Sequence, residues 1–141
     1  MSNLPILNPT TGTQSFGVVP ALNLGGLRLL DAEIRLFQGR HIGPNRGFGA
    51  RHIWAEHRLE MTRVGWATEV EVAQFVLTII RTGTPLIFEG ASWSVTRLLA
   101  VRASRGTAIL EFRDQRDGPI WSVVTAFAGT KTHGTRVGTV R

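Results

Sequence analysis

Ala50-Arg-His-Ile-Trp-Ala-Glu-His-Arg-Leu-Glu-Met61 sets Ile53, Trp54, Ala55 and Met61 among charged residues and contains neither proline nor glycine. That composition predicts a helix of about three turns. A second helix is signalled just beyond it: Thr68 and Glu71 have capping-box spacing, Val72, Val76, Ile79 and Ile80 make an apolar stripe, and Gly83 stands as a C-terminal stop. After Pro85 the pattern becomes that of strands. Leu86-Ile-Phe88 is a short apolar run, and Trp93, Val95, Leu99 and Val101 alternate with smaller or polar residues. Thr107 to Arg113 returns with Ala108, Leu110 and Phe112 on one face, and Ile120 to Phe127 follows a turn. The expected class is α+β, with two N-terminal helices packed on one face of a four-stranded, or longer, antiparallel sheet.

Outward from this block the chain changes character. Residues 1–27 hold no charged side chain, three prolines and four glycines, the composition of a neutral, extended N-terminal arm. Ile34 and Leu36 alternate with Glu33, Arg35 and Phe37 as in a short strand, and a glycine-punctuated loop from Gly39 to Gly49 carries Arg40, Arg46 and His41. Residues 28–128 are read as a single α+β domain, and residues 129–141 as a basic, Gly/Thr-rich tail.

The 141 residues are 43% hydrophobic, enough for one domain with a core. Sixteen basic residues against ten acidic give a formal charge of +6, and Lys131 is the only lysine among the sixteen. Such a surface favours a polyanion or an acidic partner, and arginine suits planar, bidentate contact with phosphate. The absence of cysteine excludes disulfides, thiolate metal sites and cysteine nucleophiles. No stretch has the length and apolarity of a membrane span, and the start lacks a secretory pattern. A soluble chain is expected, cytoplasmic or delivered into a target cytoplasm, with virion association as a further context.

The main chemical feature is the pair His52 and His57. Five residues apart on a helix, they lie about 140° apart around the axis, so they do not converge on one atom as an i, i+4 metal pair does. The plain reading makes one a packing histidine and the other a solvated side chain. The functional reading makes them proton carriers. Zinc is not indicated by the His-x-x-x-x-His spacing, and no cofactor or metal is expected. Glu56 lies four residues from His52 and can orient it, although Glu56 and Glu60 also read as a solvated helix face. Arg97 interrupts an apolar strand face and Arg113 ends the next strand. A charge there needs a partner or a ligand, or snorkels at a sheet edge. Thr125 is a hydroxyl in the apolar row Trp121, Val123, Phe127. Lys131 and His133 read as tail solubilisers as readily as contacts.

Gly47-Phe-Gly-Ala-Arg-His-Ile-Trp-Ala-Glu-His57 resembles the Gly-Phe-Gly-x-x-His-Ile-x-x-x-His signature of phage-associated nuclease domains in the barnase, EndoU, colicin and RelE-like superfamily. Trp121-Ser-Val-Val-Thr-Ala-Phe127 is similar to the strand that closes such domains. The resemblance covers about residues 40 to 128. It implies a metal-independent endoribonuclease, of the kind carried by toxins or mobile elements, that cuts RNA, tRNA among its candidates, by 2′-hydroxyl attack to a 2′,3′-cyclic phosphate. It brings His52, His57 and Thr125 to the catalytic cleft. Arg97 and Arg113 join them from the strand argument as phosphate contacts, and Arg46, Arg51 and Lys131 are candidate substrate contacts. Lysine, common in active sites of that superfamily, is almost absent here. The expected partners are RNA and an acidic immunity or antitoxin protein. Two other readings stay open: a non-catalytic nucleic-acid-binding or phage structural module of the same fold, and a domain whose basic surface docks an acidic protein.

Overall fold

The computed structural model describes residues 4–24, 26–89, 97–130 and 134–141. Seven strands precede the first helix: β1 (Pro5–Ile6), β2 (Val18–Val19), β3 (Leu22–Leu24), β4 (Leu27–Leu29), β5 (Ala32–Phe37), β6 (Arg40–Gly43) and β7 (Arg46–Phe48). Then come α1 (Gly49–Arg63), a 3-10 turn (Glu69–Glu71), α2 (Val72–Ile79) and the strands β8 (Pro85–Phe88), β9 (Leu98–Ala103), β10 (Gly106–Gln115), β11 (Gly118–Phe127) and β12 (Thr135–Thr139). Strand accounts for 46% of the structure and helix for 20%.

This corrects the expected class: the helices are not N-terminal to the sheet, and the sheet is not purely antiparallel. β8, β9, β10 and β11 are consecutive antiparallel neighbours, but β11 also pairs in parallel with β5, Trp121 opposite Ile34. β12 lies against the outer edge of β8, and β1 and β2 pair with β5. Arg141, just past β12, and Val18, at the start of β2, exchange both backbone hydrogen bonds, at 2.8 and 3.0 Å. The ladder β5-β11-β10-β9-β8-β12-β2 therefore returns to β5 and forms a barrel, which removes most exposed strand edges.

Pairing defines the buried face in rungs, since directly opposed residues share a side of the sheet. Ile34, Trp121 and Phe112 make one rung; Val123, Leu110 and Leu99 the next; Ala126, Ala108, Val101 and Leu86 the third. Apart from half-buried Phe112 all are buried, in one cluster with Ile53 and Met61 of α1 and Phe75, Val76 and Ile79 of α2. The segment read as an arm supplies Phe16, Val19, Leu22 and Leu24 to this cluster, and the tail supplies Val140. Strands of two or three residues are too short for alternation to register, which is why that stretch reads as unstructured from sequence.

The helices form where the pattern places them. Thr68 and Glu71 make the reciprocal capping box, although the turn they cap is 3-10 before it becomes α2. Among the described residues no helix is long and apolar enough to cross a membrane.

Candidate functional site

β6 and β7 form a hairpin that leads directly into α1. His41 pairs with Gly47 across it, and Asn45 turns it with φ 59°, a left-handed conformation that asparagine tolerates. Gly47 has φ 138°, and a Cβ there would lie 2.2 Å from the Arg40 carbonyl oxygen and 2.8 Å from His52 Nδ1. Gly49 has φ 80°, and a Cβ would lie 2.5 Å from the Phe37 carbonyl oxygen. The two glycines of Gly-Phe-Gly thus let the hairpin lie against β5 and the first turn of the helix.

That approach builds a cluster. His41 Nδ1 lies 3.1 Å from His52 Nδ1, and the two rings stack with centroids 5.3 Å apart at 26°. His52 is buried, 4% exposed, whereas His41 is exposed. Glu56, one helical turn past His52, joins them, and the three side chains each bring a donor atom within 4.8 Å of the others. The Asn45 N–H donates to Glu56 Oε1, which fastens the hairpin turn to the helix. Burial is the main cause that lowers the His52 pKa below its ordinary value; Glu56 opposes it, and His41 and His57 add to it. His52 is accordingly a neutral imidazole at pH 7.

His57 is held separately. Its Nδ1 lies 3.1 Å from Glu60 Oε1, its ring packs on Phe127 with centroids 5.8 Å apart, and Glu60 Oε2 accepts the Ala128 N–H at 2.9 Å. Glu60 thus ties α1 to the end of β11 instead of standing as a solvated face. Thr125 is not in one row with Trp121 and Val123, as alternation suggested. A bulge sets Val123 opposite Leu110 but Thr125 opposite Ile109, so Thr125 and Phe127 turn to the other face. The Thr125 hydroxyl is buried and has no hydrogen-bond partner among the described residues.

Arg113 sits with its guanidinium carbon 5.0 Å over the Phe48 ring and its Nε 3.0 Å from Glu111 Oε1, beside the hairpin. The Arg97 side chain is exposed and its carbonyl accepts the Phe112 N–H at 2.9 Å, so it is not a buried charge in an apolar row. Trp93 and Val95 of that row lie outside the described residues, as do Lys131 and His133. Arg46 on β7 and Arg51 in the first turn of α1 are exposed.

The structure therefore joins His52 to His41, which the sequence reading left in a loop, rather than to His57. The signal was present: a hairpin with its turn at Pro44-Asn45 places His41 opposite Gly47, five residues before His52. The donor atoms that converge are those of His41, His52 and Glu56, a set that the spacing of His52 and His57 does not announce. The chain matches no family model, no curated protein and no solved structure.

Proposed function

We propose that the protein is an endoribonuclease that needs no metal for cleavage, breaking RNA by attack of a 2′-hydroxyl on the adjacent phosphate. The observation that carries this reading is the exposed His41 backed at 3.1 Å by a buried, neutral His52. His41 Nε2 takes the proton of the 2′-hydroxyl while its Nδ1–H donates to the lone pair on Nδ1 of neutral His52, which orients the ring and stays unprotonated. The 2′-oxygen to phosphorus bond forms, the bond from phosphorus to the 5′-oxygen breaks, and His57, steadied at Nδ1 by Glu60, protonates the departing oxygen.

Arg46 and Arg51 lie exposed beside the histidines and suit phosphate contact. Arg113, stacked on Phe48, is a further contact for the phosphate, whereas the Thr125 hydroxyl is buried away from it. The resemblance of the Gly-Phe-Gly-x-x-His stretch to phage-associated nucleases supports the same chemistry; the helix-first order expected of them does not, so the reading stands on the site. An association with toxins or mobile elements, and an acidic protein that neutralises the surface, belong to the same proposal.

The test is an RNA oligonucleotide and its all-2′-deoxy counterpart, incubated with the protein in EDTA. Cleavage of the first alone, with a cyclic phosphate at the new 3′ end, is the expected result. Equal cleavage of both, or none in EDTA with activity restored by a metal, would overturn the mechanism.

A further inference from the structure

The atoms that face each other in the hairpin cleft are also a ligand set. Two imidazoles and a carboxylate are the donors that borderline divalent ions prefer, and three protein ligands leave a fourth position open. We propose that His41, His52 and Glu56 bind a divalent transition-metal ion of the zinc type, and that the bound ion silences the site.

The geometry fits without rearrangement of the helix. In a tetrahedral zinc site the two ligating nitrogens lie about 3.3 Å apart, and the Nδ1 atoms of His41 and His52 lie 3.1 Å apart. His52 and Glu56 are i, i+4 on α1 and share a face, while His41 comes across from β6. All three donor atoms lie within 4.8 Å of one another. Asn45 engages Glu56 through its backbone N–H, an outer contact of the kind that orients metal-binding carboxylates. The exposure of His41 provides the entry path.

Silencing follows from competition for the same atoms, and this part rests on the nuclease reading. The hydrogen bond that orients His41 needs a proton between the two Nδ1 atoms. An ion there takes both lone pairs and moves that proton to His41 Nε2, which then has no lone pair for the 2′-hydroxyl proton. The ion is thus an inhibitor in this account, and the nuclease is active when stripped.

The experiment is calorimetric titration of zinc chloride into the EDTA-stripped and dialysed full chain, beside His41→Ala, Glu56→Gln and His57→Ala, each checked for folding by thermal melting. His41 is exposed and Glu56→Gln keeps its shape, so both variants test ligation without emptying the core. Saturable binding of one ion per chain is expected, weakened at least about tenfold in His41→Ala and Glu56→Gln and unchanged in His57→Ala. No saturable binding, or equal binding by all four proteins, would overturn the site. RNA cleavage is read separately. Zinc binding with that variant pattern but RNA uncut in EDTA would leave the site standing and remove the nuclease reading, and with it the silencing. Cleavage that zinc at saturation leaves untouched would remove the silencing alone.

Discussion

His41 Nδ1 stands 3.1 Å from His52 Nδ1, the one ring in solvent and the other 4% exposed. Under the proposed nuclease reading the buried ring reaches a polymer substrate only through its exposed neighbour, and the contact couples the tautomers of the two rings. The pair therefore acts as one unit, and the residues that hold it together are as testable as the histidines.

Gly47→Ala tests the close approach. Its Cβ would meet the Arg40 carbonyl and His52 Nδ1 at distances no real contact shows, on a backbone of φ 138°. Gly12→Ala, with φ 73° and nothing within 4 Å, carries backbone strain alone. Each variant is expected to lose roughly 1 kcal/mol or more of stability, but only Gly47→Ala should also abolish RNA cleavage. Full activity in Gly47→Ala would contradict the assembly of the site by the hairpin.

The low pKa of His52 makes stability depend on pH. The folded group binds its proton less readily than the unfolded one, whose pKa is near 6.5. Its contribution is therefore fully present above about pH 6.5 and is lost as pH falls through that value toward the folded pKa. Glu56 opposes the shift, and His41 and His57 add to it. Urea midpoints at pH 7.5 and 5.5 should fall more for the natural protein than for His52→Asn, and the His52 ring should titrate below 6.5 by NMR. Titration above 6.5 would mean that the Glu56 charge outweighs burial.

Thr125→Val separates function from packing. The hydroxyl is buried with no partner among the described residues, so its removal should leave the melting temperature unchanged or raise it, an unpaired buried group costing about 1 to 3 kcal/mol. RNA cleavage should be retained, since the hydroxyl has no access to substrate. A variant that melts several degrees lower would show that the hydroxyl serves the fold.

Docking of the last residues into the core is tested at Val140, which is 2% exposed and whose N–H donates to the Thr84 carbonyl at 2.9 Å. Val140→Asp buries an unpaired charge and should cost about 3 kcal/mol, a fall in melting temperature of roughly 10 °C. Arg141→Ala keeps the backbone bonds to Val18 and loses only the exposed pair with Asp31, which is worth less than about 1 kcal/mol. Similar melting of both variants would contradict the burial of Val140 in the core.

What was legible in the sequence was local. Thr68 and Glu71 announce their capping box because the motif spans one turn. The rows Ala108, Leu110 and Leu99, Val101 announce their strands because alternation runs long enough to register. What was not legible depends on distance or on a single inserted residue. The closure rests on Arg141 meeting Val18, which no periodicity carries. The extra residue at Val124 reverses the face of Thr125, and only the ladder reveals it. In the site, His52 and His57 were visible by type and spacing, whereas His41 enters by hairpin pairing and Glu60 by a bond to the Ala128 N–H, 68 residues away in sequence.

The most direct measurement is incubation of the natural protein, His41→Ala and His57→Ala with total tRNA and rRNA in EDTA, with the 3′ ends mapped. Discrete cyclic-phosphate ends are expected from the natural protein, and at least about a hundredfold less from either variant. Intact RNA with the natural protein at every concentration, alongside binding that weakens as salt rises, would contradict it and leave a nucleic-acid-binding module.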